Sequence, residues 1–106
     1  MRAMVIEKWG EQYRLEDRPD PEPNYGEAVM KVHSAGVGLT LLIMRNGTVG
    51  GETPRVMGHE LGGEIVDVGP GVNNVKVGDR CTVYFYLNCG VCRWCRNGRE
   101  TLCENH

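Results

Sequence analysis

Short runs of alternating apolar and polar residues dominate the first third of the chain, and this period of two is typical of β-strands. Residues 2–8 and 13–17 form two such runs, and turn-forming residues lie between them at 10–12, so the pattern predicts a β-hairpin. Three prolines in the stretch 18–23, RPDPEP, predict an extended connector after the hairpin. Residues 27–35 alternate again, which predicts a third, half-buried strand.

A short helix is expected to interrupt this β pattern. It is predicted over residues 40–45, where Thr40 is a residue type that caps helix N-termini. Gly47 follows the predicted helix and is suited to the left-handed conformation that often ends one. The glycine-rich segment 47–56 then predicts a loop.

Two further strands are predicted at residues 64–68 and 79–86, on either side of the turn PGVNN. Fifteen of the 106 residues are glycine, about twice the ordinary share of roughly 7%. Because many glycines favour turns and disfavour a helical bundle, we expect a mainly β, barrel-like domain.

Charge and hydropathy exclude several classes of function. Twelve basic residues stand against fourteen acidic ones, so the net charge is −2 and no basic surface for nucleic acid or an anionic membrane is expected. The N-terminal segment MRAMVIEKWG lacks the apolar core of a signal peptide, and no run of about 18 apolar residues predicts a membrane span. We therefore expect a cytoplasmic, reducing location.

The strongest chemical signal is a cysteine cluster in the segment CGVCRWCRNGRETLC. Four thiolates at this spacing can complete a tetrahedral shell around Zn²⁺, with bonds of about 2.3 Å, which leaves no position open for a substrate. The cluster therefore predicts a structural zinc site, with Gly90 and Gly98 providing the bends of the backbone. Its four ligands are Cys89, Cys92, Cys95 and Cys103.

Disulfides or a redox pair are the alternatives. The odd number of cysteines and the expected reducing location disfavour disulfides, and a redox C-x-x-C pair would need neither the third nor the fourth thiol. The fifth cysteine, Cys81, is expected to be a buried strand residue that acts as a small hydrophobe. Arg93, Arg96 and Arg99 lie among the ligands and either offset the negative charge of a zinc tetrathiolate or are solvated surface residues.

Three motifs together resemble the zinc-type alcohol dehydrogenases of the medium-chain dehydrogenase/reductase superfamily: GHELGGEIVDVG at 58–69, VKVGDRCTV at 75–83, and the cysteine segment at 89–103. The resemblance implies a mainly β, GroES-like, partly open barrel with a short helix and a protruding structural-zinc loop. Residues 1–106 would then be an incomplete catalytic domain with its zinc lobe at 87–106. The Rossmann domain that binds NAD or NADP would lie beyond them.

The resemblance also implies roles for single residues. The four clustered cysteines match structural zinc ligands, His59 matches the histidine ligand of a catalytic zinc, and Glu60 matches the carboxylate beside it. The family pattern G-[VI]-C-x-[ST]-D aligns with residues 36–41, where Thr40 matches the hydroxyl that relays a proton. Gly38 stands in place of the ligand cysteine, and Leu41 in place of the aspartate that supports the histidine. Without the resemblance, His59 would be a hydrogen-bonded structural histidine and Thr40 a helix cap.

A nucleotide-binding interpretation of the same stretch is disfavoured. The turn G-x-G-x-x-G would require glycine at position 41, where the chain has Leu41. The short helix predicted after it also does not fit a βαβ unit.

Three functions remain open at this stage. The first is the N-terminal catalytic-domain part of a zinc-containing, NAD(P)-dependent alcohol dehydrogenase-like oxidoreductase with a structural zinc and an incomplete catalytic zinc site. The second is a zinc-free C=C reductase of the same superfamily, and the third is a non-enzymatic module stabilised by zinc. For the enzyme, the resemblance implies a small alcohol, carbonyl or enone substrate, and a second zinc if His59 recruits one. Unpaired strand edges predict a homo-oligomer.

Overall fold

The computed structural model describes residues 1–48 and 50–105, in which six strands build two three-stranded sheets and are joined by one α-helix and two 3₁₀ turns. Val49 of the predicted loop and His106 of the predicted zinc lobe lie outside the described residues. The elements are β1 (Arg2–Ile6), β2 (Arg14–Asp17), β3 (Ala28–Ala35), α1 (Thr40–Met44), β4 (Arg55–Val56), β5 (Leu61–Val68), β6 (Arg80–Thr82) and two 3₁₀ turns, Cys95–Asn97 and Glu100–Leu102.

The first sheet contains the predicted hairpin. β1 pairs with β2 in antiparallel register, and Val5 lies opposite Arg14. The other edge of β1 pairs with β4, where Val5 lies opposite Val56. The side chains of Val5 and Ile6 are 1% and 0% exposed, so this sheet holds the core of the described chain. β4 was not predicted, because a strand of two residues in a glycine-rich loop has too few positions to show alternation.

The second sheet has the order β3-β5-β6, with all pairs antiparallel. The prediction that β3 is half-buried was wrong: most of its residues are exposed, including Val32 at 48%. The physical reason is that, among the described elements, β3 packs only along β5, with one side-chain contact from Met30 to Cys81 of β6, so neither of its faces is covered by a packed layer. Register shifts after Val29 and Val32 also break the regular alternation of its side chains.

β5 begins at Leu61, three residues before its predicted start, because Gly62 and Gly63 allow the neighbouring strands to approach closely. A Cβ at Gly63 would collide with the backbone carbonyl of Lys31 on β3. β6 is shorter than predicted and ends at Thr82, and the aromatic residues that follow it pack on one another.

The predicted helix is present but begins and ends differently. Leu39 occupies the N-cap position without a side-chain hydrogen bond, so the prediction that Thr40 caps the helix was wrong; Thr40 is its first residue. The helix ends at Met44, with Arg45 as its C-cap. Gly47 adopts φ of 85°, as predicted, and packs against the Trp9 ring, where a Cβ would lie 3.1 Å from Cγ.

The described residues are mainly β, with two open sheets and one short α-helix, which confirms the predicted fold class. None of the helices formed by residues 1–48 and 50–105 has the length and apolar character needed to cross a membrane.

Candidate functional site

The four clustered cysteines converge at one end of the chain, as predicted. Their Sγ atoms all lie within 4.8 Å of one another, and Cys103 is buried. A tetrahedral zinc with bonds of about 2.3 Å requires sulfur–sulfur separations near 3.8 Å, so small adjustments bring the four atoms to that geometry. The structure contains no disulfide among the described cysteines.

The backbone around the cluster folds so that N–H groups point at sulfur. Gly90 and Gly98 adopt left-handed φ values of 69° and 68°, and Gly98 ends the first 3₁₀ turn. The Sγ atom of Cys103 accepts hydrogen bonds from the backbone N–H groups of Cys89 and Asn105, each at 3.3 Å. Donors of this kind stabilise a thiolate more than a thiol.

The same donors shift the thiol pKa values. A hydrogen bond from the Val91 backbone is the main reason that the pKa of Cys89 falls to about 6. Backbone hydrogen bonding from Cys95 is the main cause that lowers the pKa of Cys92. Burial raises the pKa of Cys95 to about 12. A bound cation reverses that effect, because it deprotonates a coordinating thiol.

Two of the arginines among the ligands contact Trp94 on the outside of the cluster. The Arg93 guanidinium lies 5.1 Å from the ring centre and also pairs with Glu104 at 2.7 Å. Arg99 lies over the same ring at 6.0 Å. Cation–π contact with Trp94 therefore accounts for the positions of Arg93 and Arg99.

A second group of predicted residues meets at the start of β5. Gly58, with φ of 138°, leads into His59 and Glu60, and the His59 Nε2 atom lies 3.8 Å from Glu60 Oε1. The imidazole packs edge-on against Phe85, with ring centres 5.7 Å apart, and its side chain is 21% exposed. Its Nδ1 atom is buried and has no hydrogen-bond partner among the described residues.

The glycines of the GVGLT stretch border Glu60. Gly36 donates its backbone N–H to the Glu60 carbonyl at 2.8 Å, and a Cβ at Gly36 would collide with the Glu60 side chain. A Cβ at Gly38 would lie 3.4 Å from Glu60 Oε1 and 4.0 Å from the Thr40 backbone nitrogen. The structure thus brings positions 38, 40, 59 and 60 together, and position 38 has room for a side chain that the sequence does not provide.

The Leu41 side chain lies in an apolar environment. It is half-buried and lines an apolar cavity of about 460 Å³ together with Met4 and Met57. Its carbonyl accepts a hydrogen bond of 2.7 Å from the Tyr13 hydroxyl. A leucine has no side-chain acceptor for an imidazole N–H, which agrees with the unpartnered Nδ1 atom of His59.

A cavity of about 450 Å³ opens beside His59. Arg55 and Met57 line one part of it, and Phe85 and Tyr86 line another. The sequence analysis missed these residues as site residues because it assigned the aromatic run to the regular strand 79–86. The run of three aromatics, Tyr84 to Tyr86, directly after the segment VKVGDRCTV was the available signal.

The sequence profile of the alcohol dehydrogenase GroES-like domain matches residues 24–106. The chain belongs to this family. The match confirms the predicted resemblance and the GroES-like fold, and it covers the His59 site and the cysteine cluster together.

Similar proteins include oxidoreductases of more than one kind. An alcohol dehydrogenase of Geobacillus stearothermophilus is 38% identical over 98% of this chain and 32% of its own length. An acryloyl-coenzyme A reductase of Metallosphaera sedula is 35% identical over 99% of this chain and 32% of its own length. A cobalt- and zinc-bound thermostable alcohol dehydrogenase from Pyrobaculum aerophilum superimposes with a TM-score of 0.89 at 36% identity, over 99% of this chain and 32% of that chain. This GroES-like chain therefore spans about a third of the length of these relatives.

Proposed function

We propose that this GroES-like chain is the N-terminal catalytic-domain part of an NAD(P)-dependent, alcohol dehydrogenase-like oxidoreductase. In this proposal it holds a structural zinc and has an incomplete catalytic zinc site. The observation that carries the proposal is the residue at position 38. This position borders Glu60 and Thr40, where the proposed catalytic zinc would need a ligand, but the residue there is a glycine.

The structural zinc is supported by the geometry of the cysteine cluster. The four ligands would be Cys89, Cys92, Cys95 and Cys103, whose sulfur atoms already lie within 4.8 Å of one another. Four thiolates saturate zinc, so this ion would stabilise the lobe and would not contact a substrate.

The residues of the second site do not fit a tightly bound catalytic zinc. Such a site requires three protein ligands and one open position. The chain offers His59 and Glu60 but no thiolate at Gly38. A ligating histidine is also normally oriented by a partner on its other nitrogen, and the Nδ1 atom of His59 has none among the described residues.

His59, Glu60 and Thr40 remain as the proposed catalytic residues. Thr40 is exposed next to Gly38, where its hydroxyl can relay a proton, and Glu60, whose Oε1 atom lies 3.8 Å from His59 Nε2, also borders Gly38. We assign NAD or NADP to the complete enzyme only, since residues 36–41 do not form a dinucleotide turn. The 106-residue chain by itself is expected to be inactive.

The proposed substrate is a small alcohol, carbonyl or enone. We also propose that the protein is cytoplasmic, forms a homo-oligomer, and binds neither nucleic acid nor membrane. The open edges of both sheets and exposed apolar side chains such as Leu87, 84% exposed, support self-association. Sedimentation of the purified protein at micromolar concentrations checks this, and a monomer throughout would contradict it.

A zinc-free reductase of activated C=C bonds is the second candidate. The missing thiolate at Gly38 favours it, since such chemistry needs no metal to polarise an oxygen. The similarity to an acryloyl-coenzyme A reductase, a protein named for reduction of this kind, also favours it.

The two candidates differ in their response to metal removal. The complete enzyme that contains this chain should be assayed for alcohol oxidation with NAD(P) and for enone reduction with NAD(P)H, before and after treatment with a chelator mild enough to spare the cysteine cluster. Alcohol oxidation abolished by the chelator supports a catalytic zinc and contradicts the incomplete site. Enone reduction that persists supports the zinc-free reductase. No activity with any substrate would contradict the proposed oxidoreductase.

A further inference from the structure

We propose that the cavity beside His59 selects substrates that carry a carboxylate or a similar anionic group, and that Arg55 recognises this group. The inference rests on the proposed function, because it concerns the substrate of that same site.

The described side chains that line this cavity include a positive charge but no negative charge. Its lining is largely apolar and aromatic, with Met57, Phe85 and Leu87 among its residues. Arg55 is the one lining residue with a permanent charge, and no carboxylate lines the cavity among the described residues. Glu60, although next to His59 in sequence, is directed towards Gly36 and Gly38 and is not a lining residue. An anionic group at the Arg55 end of this cavity would therefore meet a cation and no lining carboxylate in the described part of the chain; the Glu60 carboxylate lies at the His59 end, with Oε1 3.8 Å from His59 Nε2.

Arg55 has no acidic partner in the described chain, in contrast to Arg18 and Arg93. Arg18 pairs with Glu7 and Glu16 at 3.0 Å and 2.7 Å, and Arg93 pairs with Glu104 at 2.7 Å. Within residues 1–48 and 50–105, no carboxylate comes within ion-pair distance of Arg55. Its guanidinium fork is thus available for a bidentate contact with a planar anion.

The guanidinium is also held in place. One terminal nitrogen of Arg55 donates a hydrogen bond of 3.2 Å to the Gly50 carbonyl. The adjoining Gly51 carbonyl accepts a hydrogen bond of 3.1 Å from the Trp9 indole N–H, which fixes the segment that holds Arg55. Less side-chain freedom is then lost when a ligand binds, and the remaining N–H groups stay available.

The distance between Arg55 and His59 sets the size of the substrate. His59 follows Arg55 by four positions, so their Cα atoms are at most about 14 Å apart even in a fully extended chain. A short substrate can therefore place its reacting carbon near His59 while its anionic group reaches Arg55.

The test compares a short hydroxy acid or 2-enoic acid with its neutral amide in the complete enzyme. We expect the wild type to prefer the acid in kcat/KM by about tenfold or more, the size of a hydrogen bond to a charged group. Arg55→Gln should lower kcat/KM for the acid about tenfold more than for the amide and so remove that preference, and Arg55→Lys should retain part of it. The matched control is Arg80→Gln, an arginine on the other sheet that lines a different cavity with His33 and Ser34; it should change nothing.

Each other outcome overturns the inference. Equal loss of acid and amide turnover in Arg55→Gln would mean that Arg55 only tethers the Gly50 segment. Equal kcat/KM values for the acid and the amide in the wild type would mean that the cavity does not distinguish charged from neutral substrates. If neither substrate is turned over, the proposed function fails separately, and calorimetric binding of butanoate against butanamide decides the inference. Butanoate binding that is lost in Arg55→Gln upholds it, and equal binding of both probes refutes it.

Discussion

The cysteine cluster and the His59 site are both candidate metal sites, but only the cluster is complete. The cluster has four ligands from one segment of fifteen residues, and backbone N–H groups already point at its sulfur atoms. The proposed His59 site draws on two distant segments, at 36–41 and 58–60, and has a glycine at position 38, which borders Glu60. Under the proposed function, a closed site is complete in a domain whose open site is not, because the closed site serves stability alone.

The largest expected effect is on the cluster. Cys103→Ser, or removal of zinc with a strong chelator, should unfold the lobe from residue 87 onwards, since structural zinc in finger peptides contributes about 10–16 kcal/mol. Amide hydrogen exchange over residues 89–103 measures this. Cys81→Ser is the control, because Cys81 lies outside the cluster and contacts Met30 Sδ at 3.6 Å; it should leave the zinc bound. Unchanged protection after verified loss of zinc would show that the lobe does not depend on the metal.

A pair of glycine substitutions sharpens the description of the His59 site. Gly36→Ala should destabilise the domain by about 1–3 kcal/mol, because the new Cβ would collide with the Glu60 side chain. Gly38→Ala should be tolerated, since its Cβ would lie at an ordinary 3.4 Å from Glu60 Oε1. Thermal unfolding of both variants checks this difference. Equal destabilisation would mean that position 38 has no free space beside Glu60.

Restoring the ligand tests whether position 38 is the missing part. Gly38→Cys should create a second, weak zinc site, and adding Leu41→Asp should raise its affinity by about 10–100-fold, the usual effect of an orienting carboxylate. Competition with a fluorescent zinc chelator measures the affinity. A double variant that gains no second zinc, even in the complete enzyme, would show that these two positions are insufficient.

The smallest expected effect concerns the outside of the cysteine lobe. Trp94→Leu removes the ring that Arg93 and Arg99 contact and should lower stability by about 0.5–1 kcal/mol, as for an exposed cation–π pair. Zinc binding should be unchanged. A large loss of zinc affinity in this variant would mean that the arginines act on the metal site through Trp94.

The sequence predicted those parts of the fold that depend on local pattern. The hairpin of β1 and β2, the short helix and the left-handed Gly47 follow from alternation, helix length and turn chemistry. The cysteine cluster was predictable for the same reason, since all four ligands lie within one local segment. Fold family and the roles of His59 and Glu60 came from resemblance, because two adjacent residues of these types carry no specific local signal.

The parts that were missed depend on tertiary contacts. β4 exists only because Val56 pairs with Val5, and the exposure of β3 reflects the absence of a covering layer among the described elements. Thr40 was assigned as a helix cap from its residue type, but the chain places Leu39 at that position. Arg55 joins the cavity through the packing of β4 beside the aromatic run, which no spacing in the sequence shows.

The number of tightly bound zinc ions per chain tests the difference between the two sites most directly. Native mass spectrometry of the complete protein, after a mild chelator has removed weakly held metal, should give about one zinc per chain, lost in Cys103→Ser and retained in His59→Ala. A second zinc that survives the chelator and disappears in His59→Ala would contradict the account, because it would show that His59 and Glu60 hold a catalytic metal without a thiolate at Gly38.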